Sequence, residues 1–465
     1  MKKDILCLLI LSSIACLQVG CNYEKDIVLD DTTSSSTSFG SAEDDAVDEQ
    51  TWSYSLNIVW SGSSATVSGS VDGVTVSNSN GYVTITSTVE GVVYNVSGSG
   101  SGQLTVYGDY ASQLALNGLT LSCSNGPAIN NQSSEACYVV VSGTNTLSDG
   151  SSYASSSEDR KAAFFSEGKL CFSGSGSLKI TGNYKHTLAC DSYIRMCTGM
   201  TATLDLTAKV NDGMHANDGI LIEAGTLSVT AKDECIRTDA GTIQISGGII
   251  TAISQSEAIE SKGTLTISGG QVYAQASDDA INAGGDLTIS GGYVMAYSTG
   301  NDGIDANGNC YIQGGLVYAI GASSPEVAID ANSEAQKQLY MQGGTLVAIG
   351  GLESGASLSQ SCYSASSWSK NTWYALTVGS DVFAFKTPGS GGTTLVVSGA
   401  STPTLASGVT ASGTAIFNGM GYYPASASGG SSVTLSSYSG GSSGGGPGGG
   451  GPGGGGPGGG GPGGW

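Results

Sequence analysis

NDGMHA (211–216), DECIRT (233–238), SEAIES (256–261), DDAINA (278–283), NDGIDA (301–306) and EVAIDA (326–331) are six versions of one phrase, begun at steps of 22, 23, 22, 23 and 25 residues. Most copies open on acidic, amide or hydroxyl residues, pass a small residue and reach a large apolar one. A Gly-rich step follows, then Leu-x-Ile-x-Gly-Gly or a close variant, then a second strand containing Ala. A fixed period of this length marks a solenoid, because one repeat cannot bury its apolar face without a neighbour. Each repeat holds about three short strands. That is too long for a hexapeptide helix and too rich in β-branched residues for a leucine-rich horseshoe. The expected fold is all-β: a right-handed parallel β-helix, whose turns stack at about 4.8 Å.

Strand parity sorts the side chains of such a coil. Met214, Ile236, Ile259, Ile281, Ile304 and Ile329 form one inward column, and the residues that follow them face out: His215, Arg237, Glu260, Asn282, Asp305 and Asp330. In the strand after Gly-Gly, Ile250, Val272, Val294, Val317 and Leu346 point in. Their outward neighbours are unexpectedly apolar, namely Thr251, Tyr273, Met295, Tyr318 and Val347, flanked by Tyr293, Tyr297 and Ile320. That face is either covered or binds something. Cys310 stands where other turns carry an inward Leu, so it reads as a small buried thiol.

The turn before the first strand gathers acids: Asp212, Glu234, Glu257, Asp279 and Asp302, preceded by Asn211, Asp233, Ser256, Asp278 and Asn301. Stacked at about 5 Å, unpaired carboxylates repel one another. A hard dication that takes six to eight oxygens relieves this, which points to Ca²⁺. The densest cluster joins Asp278, Asp279 and Asn282 to Asn301, Asp302 and Asp305, with Asp330 one turn on. A poorer one comprises Asn211, Asp212, Asp233 and Glu234, where Arg237 takes the place of Asp305. The alternative is that Asn and Asp serve here only as turn formers and side-chain ladders.

Composition agrees with a turn-rich β protein: 74 of 465 residues are Gly, and net charge is −22. Such acidity argues against nucleic acid as a partner. The eleven cysteines show no CxxC spacing, so zinc held by thiolates is not expected. Lys2 and Lys3, an apolar run to Leu17 and Gly20 before Cys21 read as a bacterial lipoprotein signal over 1–21, with Cys21 lipidated. The membrane is then a partner only through that anchor. The expected location is the outer membrane or cell surface, or the periplasm. Residues 22–50 read as an acidic, Ser-rich linker, and 51–351 as the β-helix domain, regular from about 100 and interrupted by an insertion over 144–159. Residues 352–439 read as a C-terminal β cap, and 440–465 as a Gly/Pro-rich disordered tail.

VSGTNTLSDGSSY (141–153), SEGKLCFSGSGSLKITGNY (166–184) and the DGI turns resemble the bacterial carbohydrate-binding parallel β-helix family. The resemblance implies calcium-dependent binding of plant polysaccharide, polygalacturonate (pectin) or cellulose, on a fold similar to family 9 pectate lyases. Those lyases hold Ca²⁺ with an Asp from one turn and Asp-Asp-x-x-Asp from the next. Asp279 followed by Asn301-Asp302-Gly303-Ile304-Asp305 is similar, with Asn301 replacing one Asp. The expected function is non-catalytic binding, Ca²⁺ bridging the acids to a glycan. Tyr273, Tyr293, Tyr297 and Tyr318 would stack on sugars, with His215, Arg237 and Glu260 facing the ligand. A lyase is the first alternative, with Lys337, Lys262 or Arg237 as base. An adhesin that uses the solenoid as a spacer is the second. His186 and His215 are the only histidines, and neither lies in a Gly-His-Gly of polygalacturonase type.

Overall fold

The computed structural model describes Phe39, Ser41 and residues 44–440. The expected signal segment, Cys21 and the Gly/Pro tail beyond Gly440 lie outside the described residues. The repeats coil into a β-solenoid of about ten turns. One turn shows the plan: Ile281–Ala283, Leu287–Ile289 and Tyr293–Ser298, followed by Ile304–Ala306, Cys310–Ile312 and Leu316–Ile320 one level on. The first strands of all turns form one 11-stranded sheet, and the other two faces run together into a 26-stranded sheet.

Register follows the repeat. Ile281 pairs with Ile304, Asn282 with Asp305 and Leu287 with Cys310. The inward column from Met214 to Ile329 is fully buried, as is Cys310. All eight cysteines from Cys123 to Cys362 are buried free thiols. The second glycine of each Gly-Gly step forms its own column, with Gly248, Gly270, Gly292, Gly315 and Gly344 at φ of +80°, +77°, +77°, +78° and +87°. A Cβ at Gly292 would also lie 2.7 Å from the carbonyl oxygen of Gly269 in the turn below. Gly292→Ala should therefore destabilise the solenoid by about 1–3 kcal/mol, read as a lowered urea midpoint; an unchanged midpoint would mean the step relaxes freely.

The coil begins earlier than the regular repeat suggests. Tyr54–Gly62 pairs in parallel with Val92–Ser101, which pairs with Ser112–Ser122. These early strands are 9, 10 and 11 residues long, and their length hides the period. The expected insertion also shrinks, because Thr144–Ser148 is a solenoid strand in register with Ser177–Gly182. At the far end Leu395–Ser398 pairs antiparallel with Thr345–Ile349, occupying an edge that would otherwise be open. Six strands between Trp373 and Val433 form a separate antiparallel sheet.

The segment expected to be a solvated linker is docked at its end. Asp45 is fully buried, 2.6 Å from Lys169 Nζ and 2.7 Å from the Arg195 guanidinium, and it accepts from the Tyr193 hydroxyl. Burial opposes its ionisation, but Lys169 and Arg195 outweigh that and hold the carboxyl below its ordinary range. Glu223 holds the other side of Arg195. Asp45→Ala removes the buried carboxylate that Lys169 and Arg195 share and should cost about 3–5 kcal/mol. It should also expose the chain before Trp52 to limited proteolysis; a wild-type cleavage pattern would show the strap is held by other contacts.

Candidate metal centres on the first sheet

The outer column of the 11-stranded sheet changes character along the axis. In register it reads Ala189, His215, Arg237, Glu260, Asn282 and Asp305, and a bridge between Ile304 and Ile329 carries it on to Asp330. The turn column beside it holds Asp212, Glu234, Asp279 and Asp302, all buried. The solenoid forces these acids inward because their turn is fixed by the apolar residue two places on.

At one end Asp302, Asp305 and Asp330 converge, with one oxygen from each within 4.8 Å of the others. Burial first, then neighbouring carboxylates, pushes Asp302 up to about 7 and Asp305 up to about 6. Asp330 is raised by burial and by Glu353, which follows Leu352, the bridge partner of Ile329. Asp330 Oδ1 is buried with no hydrogen-bond partner. Asp279 stands one layer back. Its oxygens accept from the Asp302 backbone at 2.9 Å and from Asn282 Nδ2 at 3.2 Å, and burial with nearby acids raises it to about 9. Asn301 donates to an exposed Asp278, 2.8 Å away, on the outer rim of the turn. Of the seven residues expected here, three meet at one point, two support them and two face solvent. Glu353 was not among the expected ligands.

A cavity of about 300 Å³ adjoins this cluster through Glu353. Lys337, Gln338 and Tyr340 also line it. Tyr340 stacks on Tyr311 of the turn below, with centroids 5.0 Å apart and planes at 10°.

At the other end Asp212, Asp233 and Glu234 are grouped as expected, without Asn211, and Asp212 also meets two imidazoles. His215 Nδ1 lies 2.7 Å and His186 Nδ1 3.1 Å from the same Asp212 oxygen. Glu234 is raised by burial and by Asp212. His215 is therefore not an open ligand-facing residue; it is 6% exposed. Between the two ends Arg237 reaches Glu234 at 3.2 Å and Glu260 at 3.5 Å, and Lys262 binds Glu260. These pairs engage Glu260, Arg237 and Lys262 with one another. Lys337 is exposed and has no ion pair among the described residues.

The tyrosine face is covered. Tyr273, Met295 and Tyr318 share one apolar cluster with Tyr374, Phe383 and Phe385 of the C-terminal sheet and with Phe417 of the turn between two of its strands. Tyr318 is fully buried and donates to the Lys386 carbonyl at 3.1 Å; Tyr273 is 6% exposed. Tyr293 packs edge-on against Tyr423, and Tyr297 meets Ser390. Tyr273 and Tyr318 thus have no open face for a sugar, and the apolar outward column is explained by packing.

A profile for the carbohydrate-binding domain-containing protein family matches residues 79–349. No curated protein matches the chain. Among solved structures, a polysaccharide lyase-like protein from C. thermocellum, studied as a gadolinium derivative, aligns with 20% identity and a TM-score of 0.39. The alignment covers 60% of this chain and 96% of that one.

Proposed function

The chain belongs to the carbohydrate-binding domain family, and from that premise we propose that it binds an acidic polysaccharide of polygalacturonate type through Ca²⁺. The observation that carries the reading is the meeting of Asp302, Asp305 and Asp330 within 4.8 Å, with Asp330 Oδ1 buried and without a hydrogen-bond partner. Three carboxylates that resist ionisation together suit a hard, oxygen-seeking dication. Ca²⁺ held there keeps coordination positions free for a uronate carboxylate, which lets a chain of net charge −22 hold a polyanion. Glu353 continues the acid column into the cavity beside Tyr340. In this reading the next sugar occupies that cavity, whose wall includes the exposed Lys337, a cation for a second carboxylate. The cell context follows from the lipobox: an exported protein anchored through Cys21, facing glycan outside the cytoplasm.

Affinity electrophoresis through gels loaded with polygalacturonate or a neutral β-glucan tests this. Retardation should occur in the acidic gel with Ca²⁺ and vanish with EDTA. Equal retardation by the neutral gel, or in EDTA, would remove the calcium bridge. Lys337 keeps a lyase as the second reading, because it lines the cavity with Glu353 and has no ion pair among the described residues. Unsaturated-uronate absorbance in the same mixture should stay flat for a binder; a Ca²⁺-dependent rise lost in Lys337→Ala would make the chain an enzyme.

A further inference from the structure

His186 stands in the turn column of acids: Leu188 pairs with Met214, so His186 lies level with Asp212. Its ring stacks on His215 at 4.2 Å, and both Nδ1 atoms approach one oxygen of an Asp212 that is 2% exposed. The remaining contacts decide what lies between them. His215 Nε2 is 3.2 Å from Asp239 Oδ2, so that carboxylate is placed to take the ring's N–H when Nδ1 binds an ion. The Asp212 backbone N–H also approaches His186 Nδ1, at 3.4 Å. One ligand atom each from His186, Asp212 and His215 thus lies within 4.8 Å of the others, a donor set of two imidazole nitrogens and one carboxylate oxygen. Tetrahedral ligands at 2.0–2.1 Å from an ion stand about 3.3 Å apart, so the observed separations need to widen only slightly.

We propose that His186, His215 and Asp212 bind a borderline first-row dication of the Zn²⁺ or Co²⁺ class, separate from the calcium-type cluster around Asp302. Imidazole nitrogen selects such ions over Ca²⁺, which takes oxygen. Asp239 is the outer carboxylate that orients His215, and Glu234 lies beside Asp212 where the site meets Asp233. The site does not depend on the glycan reading, and its ion has a structural role or tethers a ligand at the open position.

Full-length protein, stripped with EDTA and free of any tag, is titrated with Co²⁺. The expected result is one tightly bound equivalent with visible d–d absorption, displaced by Zn²⁺ and unmoved by excess Ca²⁺. His186→Ala and His215→Ala should each weaken it by more than the roughly 10–100-fold that losing an outer partner costs. Because those variants risk misfolding, the wild type supplies a second measurement. Zn²⁺ should shield His186, one of the chain's only two histidines, from diethylpyrocarbonate. No Co²⁺ absorption, displacement by Ca²⁺, or histidine reactivity unaltered by Zn²⁺ would overturn the proposal and leave two protons in the place of the metal.

Discussion

Asp302→Ala combined with Asp305→Ala should lower Ca²⁺ affinity by at least about 10³-fold, or roughly 4 kcal/mol. Both residues reach the same point from either side of Gly303-Ile304, and Asp330 alone cannot make a site for an ion that takes six to eight oxygens. The variant should fold, because removing two mutually repelling carboxylates relieves charge, although Val327 loses the acceptor that Asp302 Oδ1 offers at 2.6 Å. Calorimetric titration of Ca²⁺ reads the effect. Retention of polygalacturonate should fall with it. Wild-type Ca²⁺ affinity in a folded double variant would mean the ion binds elsewhere.

Calcium should also reshape the dependence of stability on pH. In the unfolded chain these acids ionise near 4. Folded, Asp305 is raised to about 6 and Asp302 to about 7, and burial with Glu353 raises Asp330 as well. The folded state therefore holds protons that the unfolded state has already released, and ion-free stability falls as pH rises from about 4 through those values. Ca²⁺ replaces the protons, so its stabilisation is small at pH 4 and grows as pH rises through those values. At 1,000 times the dissociation constant it reaches about 4 kcal/mol. Thermal melts in Ca²⁺ and in EDTA across that range check the sign. A difference that is constant, or largest at pH 4, would mean these carboxylates are not the ligands.

The solenoid was legible because its evidence is periodic. A step of 22 to 25 residues, an aliphatic column and a glycine column all repeat along one chain. The acid cluster was legible for the same reason, since register stacks equal positions. Where register failed, so did the reading. Glu353 follows Leu352 as Asp330 follows Ile329, yet on that face only isolated bridges join the turns, and the phrase is no longer spelled. His186 belongs to the acid column by register, but its side chain broke the acidic pattern.

Other features depend on distant partners. Parity showed that Tyr273 and Tyr318 face outward, but not that Phe383 and Phe385 return to cover them. Asp45 lies in an acidic stretch of linker composition, and the cations that bury it are Lys169 and Arg195, more than a hundred residues on. No local rule reaches that far.

The most direct measurement is a crystal grown with Ca²⁺ and an oligogalacturonate, with anomalous scattering used to locate the ion. The account places a peak among Asp302, Asp305 and Asp330, with carboxylate oxygens at about 2.3–2.6 Å and a uronate oxygen completing the shell. A glycan bound with no ion at that point, or an ion there with the sugar on another face, would contradict it.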